Sequence, residues 1–161
     1  MENTSLEIKL KSLNLKHNPI FTKKDHVKYV QDWRGQYKGD AAAILKPINT
    51  KEVSSILKLA NENRIAVVPQ GGNTSLCGAA TPDNSGTSIV ISFEKMNKVR
   101  QFNKQSQTIT VESGVILSHI HDVVEKENLF FPLSLGAQGS CMIGGNLSTN
   151  AGGCLLYTSP S

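Results

Sequence analysis

The sequence is poor in cysteine and aromatic residues and has no long apolar run. Its three cysteines, Cys77, Cys141 and Cys154, are an odd number without CxxC spacing. That usage argues against a disulfide framework and a zinc site, and suits a reducing compartment. Aromatic residues make up 6% of the chain, and the formal net charge is only +4. The lysines at 9, 11, 16, 23 and 24 form no basic stripe interleaved with aromatics, so no nucleic-acid partner is expected. No apolar stretch approaches the roughly 20 residues a membrane helix requires. Lys9, Lys11 and Lys16 interrupt any apolar signal region, and Glu2 and Glu7 precede Arg34, the first arginine, unlike an Arg-rich presequence. The expectation is a cytoplasmic protein without a membrane span.

What the sequence does have is glycine, 13 residues of it, in a chain that is 39% hydrophobic and 161 residues long. This suits one compact domain or part of a larger protein. Two glycine-rich loops stand out. Pro69-Gln70-Gly71-Gly72-Asn73-Thr74-Ser75 directly follows the apolar run Ile65 to Val68. Gly136-Ala137-Gln138-Gly139-Ser140 runs on through Ile143-Gly144-Gly145-Asn146 to Asn150-Ala151-Gly152-Gly153. Without a Cβ, a backbone can approach a ligand closely and turn its N–H groups toward it. Gly-Gly-Asn would also serve an ordinary turn. Two such loops, each after an apolar segment and without charged residues, favour a dinucleotide held by backbone amides. Other phosphate and nucleophile motifs fail on spacing: no Lys follows either cluster as a P-loop demands, GxGxxG is absent, and Ser75 lies between Thr74 and Leu76 rather than in GxSxG.

Periodicity gives a coarse layout. Residues 1–20 carry a weak mixed pattern ending at the Asn18-Pro19 turn. Thr22 is expected to cap a helix through Gln31 with Val27 and Val30 inward. Ala41 to Leu45 reads as a strand and Asn49 or Thr50 as a cap. The following helix has Val53, Ile56, Leu57 and Ala60 at three- and four-residue spacing, and Ile65 to Val68 reads as a buried strand. Together these predict a βαβ unit. Thr87 to Phe93 reads as a strand, Val99–Asn103 and Thr108–Val111 as a pair joined by a polar turn, Leu117 to Asn128 as a helix, and Ile143 to Asn150 as a short helix. These patterns leave the class as mixed α/β or α+β.

The motifs Asp32-Trp33-Arg34-Gly35, Val68-Pro69-Gln70-Gly71-Gly72-Asn73-Thr74, Val111-Glu112-Ser113-Gly114-Val115 and Phe131-Pro132-Leu133-Ser134-Leu135-Gly136-Ala137-Gln138-Gly139-Ser140, with the glycine-rich run to Gly153, give a resemblance covering roughly residues 22–153. The chain resembles the N-terminal part of the FAD-linked oxidases of the vanillyl-alcohol oxidase (PCMH) type. Within them it is most similar to D-2-hydroxyglutarate and D-lactate dehydrogenases and the glycolate oxidase D subunit. The resemblance implies an α+β class (an α/β sandwich) with a PCMH-type FAD-binding fold, its first subdomain plus the start of the second, truncated. It implies an N-terminal helical segment at 1–39 and an incomplete FAD-binding domain at 40–153. Residues 154–161 resemble a translated sequencing adapter and are expected to be a non-native tail.

The implied FAD contacts are Pro69, Gln70, Gly71, Gly72, Asn73, Thr74 and Ser75 in the first loop. In the second they are Gly136, Gly139, Ser140, Ile143, Gly144, Gly145, Asn146, Thr149, Asn150, Ala151 and Gly152. Pro132 and Leu135 could pack beside the cofactor or simply in the core. Asn73 and Thr74 could add side-chain hydrogen bonds to phosphate. Covalent relatives carry a histidine in a pattern like RSGGH where this chain has Asn73, so the resemblance implies non-covalent FAD. The implied reaction moves a hydride from a D-2-hydroxy acid to the flavin, giving the 2-oxo acid, and passes electrons to an acceptor protein or a quinone. Substrate would be bound by a cap domain absent from this stretch, which would also supply any base and metal. No catalytic or metal-binding residue is nominated here. A stand-alone FAD-binding module, or another enzyme on the same fold such as a sugar-nucleotide reductase or aldonolactone oxidase, is the alternative.

Several residues have plain explanations. His119 and His121, two apart on a helix, point to different faces and cannot share a metal as i, i+4 histidines do. His17 and His26 show no recognisable partner. Trp33 and Arg34 are as well explained by a packing or cation–π anchor as by a cofactor role. Cys77 and Cys141 are expected to be small buried residues beside the loops.

Overall fold

The computed structural model describes residues 2–152; Gly153 and the expected non-native tail at 154–161 lie outside the described residues. Between Lys95 and Met96 the chain divides into two compact units.

The first unit is built on a parallel sheet. Its β-branched and aliphatic runs form β1 (Ala43–Leu45), β2 (Val67–Gln70) and β3 (Ile89–Ser92), in the order β1-β3-β2. Ala43 and Val67 both pair with Ile89. Period-two alternation sends side chains to opposite faces. Ala43, Leu45, Ile89 and Ile91 pack with Leu10 and Leu15 and with Ile56 and Ala60. Those partners belong to or follow α1 (Glu2–Ser12) and lie on α3 (Thr50–Glu62). Ile44 and Val90 face the other way and pack with Ala41 and with Tyr29 of α2 (Lys23–Val30). Burial on both faces explains why the central strand β3 is entirely apolar except at its last residue. The strand–helix–strand order is present as expected, with β3 inserted between the two strands.

Local chemistry fixes the ends of α3. Asn49 is its N-cap, accepting the Glu52 N–H at 2.9 Å. At its other end Arg64 adopts φ +52°, while its N–H bonds Asn61 O and the Ile65 N–H bonds Ala60 O. This is the Schellman arrangement with arginine in place of glycine. Because Ile65 completes the helix end, β2 starts at Val67 rather than at the expected Ile65.

The second unit has an antiparallel pair, β4 (Val99–Asn103) and β5 (Thr108–Val111), with the expected bounds. Asn103 Oδ1 accepts the Ser106 N–H at 3.0 Å, and Gln107 takes φ +52° to turn the chain. After the pair come α4 (Leu117–Glu125) and α5 (Ile143–Ser148). Val115, Leu117, Ile120, Val124, Leu133, Cys141 and Ile143 form its core. Both helices end like α3. Leu129 N–H bonds Val124 O beside Asn128 at φ +57°, and Ala151 N–H bonds Asn146 O beside Asn150 at φ +48°.

The inward face of α2 differs from the expected Val27 and Val30. α2 turns His26 and Tyr29 inward, while Val27 is 58% exposed. The inward pair finds oxygen partners: His26 Nε2 lies 2.9 Å from Ile20 O, and the Tyr29 hydroxyl lies 3.3 Å from Glu94, while His26 Nδ1 is buried without a partner among the described residues. Residues 1–20, despite their weak pattern, contain helix α1, whose apolar contacts come mainly from Leu6 and Leu10.

Candidate functional site

Strand β2 delivers the first glycine loop. Pro69 is exposed at its end, and Gln70 is 2% exposed with its side chain turned inward. Gly71, Gly72, Asn73, Thr74 and Ser75 are half-buried. Asn73 takes φ +53°, and its Nδ2 donates to Gln31 O at 2.7 Å. None of the backbone N–H groups of residues 71–75 donates to a partner among the described residues. Consecutive unpartnered N–H groups on a turning backbone form a concavity suited to an anion.

The Asp32–Tyr37 turn braces the downstream part of this loop. The Asp32 carboxylate accepts the Tyr37 N–H at 2.8 Å and the Arg34 N–H at 3.4 Å. Burial pushes the Asp32 carboxyl up, but the N–H groups of Tyr37, Arg34 and Gln36 and the Arg34 charge together hold it below its usual range. The Arg34 guanidinium donates to Leu76 O and sits 5.9 Å from the Trp33 ring. Trp33 is 64% exposed, so the pair anchors the turn at the surface. Gly78, at φ +70°, lies against Tyr37, where a Cβ would meet the ring at 2.6 Å. Cys77 is exposed, not buried as expected. The Ser75 hydroxyl and the Ala79 N–H pull its thiol below the ordinary value.

In the second unit the glycine loop is pinned to the start of α4. Leu117 N–H bonds Cys141 O at 3.1 Å, Ser118 N–H bonds Gln138 O at 2.9 Å, and Ile143 N–H bonds Val115 O at 2.9 Å. Four glycines divide into two kinds. A Cβ on Gly144 would lie 2.6 Å from Ser113 Cβ and 2.8 Å from Ser113 O, so the chain's own packing requires glycine there. A Cβ on Gly136, Gly139 or Gly145 would meet nothing within 4 Å, and none of the three has positive φ. Nothing among the described residues demands glycine at those positions. Open space before a bare backbone fits the approach of a flavin nucleotide, as the unpartnered amides of 71–75 do.

The remaining expected residues are placed as follows. Ser140 is exposed and Ile143 is in the core. Asn146 is 7% exposed with Nδ2 at 3.5 Å from Cys141 Sγ. Thr149 Oγ1 donates to Gly145 O at 2.8 Å, while Asn150 is exposed and Ala151 and Gly152 are half-buried. Pro132 is exposed, and Leu135 packs against the core. His119 is exposed, whereas His121 Nε2 lies 2.9 Å from Leu133 O and its ring 6.2 Å from Phe131. The inward role of the Gln70 and Asn73 amides was not foreseen. The only sequence signal was amide side chains flanking Gly71-Gly72. The glycine pair Gly144-Gly145 signals a close approach, but nothing local marks Ser113 as the neighbour.

A protein-family profile described as FAD binding domain matches residues 41–159, a span that contains both glycine loops. The chain is 47% identical over 122 residues to a probable D-2-hydroxyglutarate dehydrogenase, mitochondrial, of Oryza sativa subsp. indica, covering 76% of this chain and 22% of that protein. It is 38% identical over 149 residues to a D-2-hydroxyglutarate dehydrogenase of Xanthomonas citri pv. viticola, covering 92% and 30%. Among solved structures, an alkyldihydroxyacetonephosphate synthase matches with TM-score 0.82 at 21% identity, over 93% of this chain and 30% of that one. The 6-hydroxy-D-nicotine oxidase of Arthrobacter nicotinovorans matches with TM-score 0.61 at 18% identity, over 71% and 24%. These structural likenesses show the fold, which is the expected PCMH-type one. The chain spans 22% to 30% of the length of these curated relatives.

Proposed function

The chain belongs to the FAD binding domain family, and from that premise we propose that it is the FAD-binding N-terminal part of a flavin-dependent dehydrogenase acting on a D-2-hydroxy acid. The observation that carries the substrate class is the 38% identity, over 92% of this chain, to a protein named D-2-hydroxyglutarate dehydrogenase. The organisation proposed is a helical segment at 1–39 leading into an incomplete FAD-binding domain at 40–153.

When bound, the flavin supplies a two-electron acceptor for oxidation of the 2-hydroxy acid to the 2-oxo acid. This chain's residues bind and orient it. The N–H groups of Gly71 to Ser75 receive the pyrophosphate, with the Thr74 and Ser75 hydroxyls beside them. Gly136, Gly139 and Gly145 present bare backbone to the nucleotide. Ser140, Asn146, Thr149, Asn150, Ala151 and Gly152 complete the contacts, with Pro132 and Leu135 beside them. Neither 69–75 nor 132–152 contains a charged residue, so amide dipoles replace side-chain cations around the phosphates. Asn73 offers no nucleophile toward the flavin, which supports non-covalent FAD.

Substrate, base and any metal belong to a cap domain elsewhere in the whole protein, and the electron acceptor is a protein or a quinone. Among the described residues no helix is long and apolar enough to cross a membrane. The cytoplasm is the location proposed for the protein; the rice relative is named as mitochondrial, and imaging of a tagged native gene product decides between the two.

The test uses protein expressed from the native gene. Acid precipitation is expected to release FAD into the supernatant, and D-2-hydroxyglutarate, D-lactate or glycolate is expected to reduce an artificial dye. Protein that carries no flavin, or reduces dye with none of these acids, overturns the reading.

A further inference from the structure

A helix leaves its last carbonyls without partners of its own. At the end of α2 those partners come from elsewhere in the first unit, chiefly from the first glycine loop. Gly39 N–H donates to Val30 O at 2.8 Å. Gln70 Nε2 donates to Tyr29 O at 2.8 Å, and its second hydrogen goes to Ala80 O at 2.7 Å. Asn73 Nδ2 donates to Gln31 O at 2.7 Å, with a longer contact to Lys28 O at 3.5 Å. The amide donors of both side chains are therefore committed to carbonyl oxygens, while the backbone N–H groups between and beyond them are unpartnered. Asn is also among the few residues that hold the left-handed backbone found at position 73 at low cost.

Resting on the reading of this loop as an FAD site, we propose that Asn73 is a positioning residue. Its side-chain amide fastens the loop to the end of α2, so that the backbone N–H groups of residues 71–75 are already arranged for a pyrophosphate, and the Asn73 side chain does not itself touch the phosphate. Ordering the loop before binding removes that entropic cost from the binding step, which is how a residue without cofactor contact raises affinity. Gln70, buried at the base of the loop, serves the same end as its inner anchor.

Two variants separate this from direct contact. Asn73→Asp keeps size and left-handed tolerance but turns a carboxylate toward the carbonyls. Asn73→Gly keeps backbone freedom and removes the side chain. In protein from the native gene, two quantities are read: the FAD dissociation constant by flavin fluorescence, and the rate of proteolytic cleavage within 71–78 before FAD is added. Both variants are expected to weaken FAD at least tenfold and to speed cleavage severalfold. Saturating FAD should return cleavage to the wild-type rate, which a general folding defect would not allow. Weaker FAD with unchanged cleavage means that the side chain meets the cofactor directly and overturns the proposal, as does no change in either quantity. Wild-type protein that binds no FAD while the variants still speed cleavage upholds the fastening and refutes the FAD reading instead.

Discussion

At Gly144 a Cβ would lie 2.6 Å from Ser113 Cβ and 2.8 Å from Ser113 O, whereas at its neighbour Gly145 it would meet nothing within 4 Å. Both residues sit in α5, so helix propensity treats them alike, and only their surroundings separate them. Gly144→Ala must displace backbone or open the α5 contact, at a cost of about 1–3 kcal/mol of stability. Gly145→Ala replaces a poor helix former with the best one in open space, and should raise stability by up to about 1 kcal/mol. If the bare backbone at Gly145 exists for the cofactor, the same substitution weakens FAD binding even though the protein is more stable. Urea unfolding and flavin fluorescence on the two variants check both halves. Unchanged FAD affinity in Gly145→Ala would remove the cofactor argument at that position. The sequence Ile143-Gly144-Gly145-Asn146 announces a close approach but not by what. Ser113, far upstream in the chain, becomes Gly144's neighbour only through folding.

The elements most legible in the sequence were those whose signals are local. The β4–β5 pair has the expected bounds because its strands are separated by a purely polar stretch, even though a register shift between Val99 and Gln101 breaks the alternation of β4. The α3 cap was readable because Asn49 acts on a residue three positions away. The inward face of α2 was not legible because it is amphipathic His26 and Tyr29 that turn inward, where Ile20 O meets His26 Nε2 and Glu94 meets the Tyr29 hydroxyl. The β4–β5 pair also carries an electrostatic tie. Glu112, 7% exposed, accepts the Lys98 N–H at 3.0 Å and the Arg100 guanidinium at 3.1 Å. Burial raises its carboxyl, but the Lys98 N–H and the Arg100 side chain outweigh burial and hold it below its usual range. A carboxylate depressed in the folded state lends stability that is present above its unfolded pKa of about 4.3 and lost as pH falls through the folded value. Glu112→Gln lacks that contribution. It is expected to be less stable than wild type at pH 7 and to lose less stability on acidification from pH 5 to pH 3. Urea midpoints across that range check this; parallel curves for the two proteins would show that the Glu112 charge is not involved.

For the molecule as a whole, the family and its cofactor were legible because they reside in contiguous motifs, while the reaction lies beyond them. The first glycine loop belongs to one unit and the second to the other, and neither contains a charged side chain. Oxidising a 2-hydroxy acid requires a base for the hydroxyl proton and a cation for the carboxylate, placed within hydrogen-bond reach of the substrate. The loops offer backbone N–H, amide and hydroxyl groups, which suit phosphate and nucleotide but cannot take that proton at neutral pH. Two apolar side chains of the second unit, Phe130 at 67% and Leu147 at 74% exposure, are also left uncovered. The curated relatives are three to five times longer than the matched segment, as the 22% and 30% shares imply. The 161-residue chain by itself is therefore expected to bind FAD weakly at best and to show no dye reduction with D-2-hydroxyglutarate, D-lactate or glycolate, whereas under the proposed function the native gene product is expected to retain FAD and to reduce the dye. Substrate-dependent reduction by the 161-residue chain would mean that a base and a carboxylate site exist within it, and the division between cofactor placement here and chemistry elsewhere would fall.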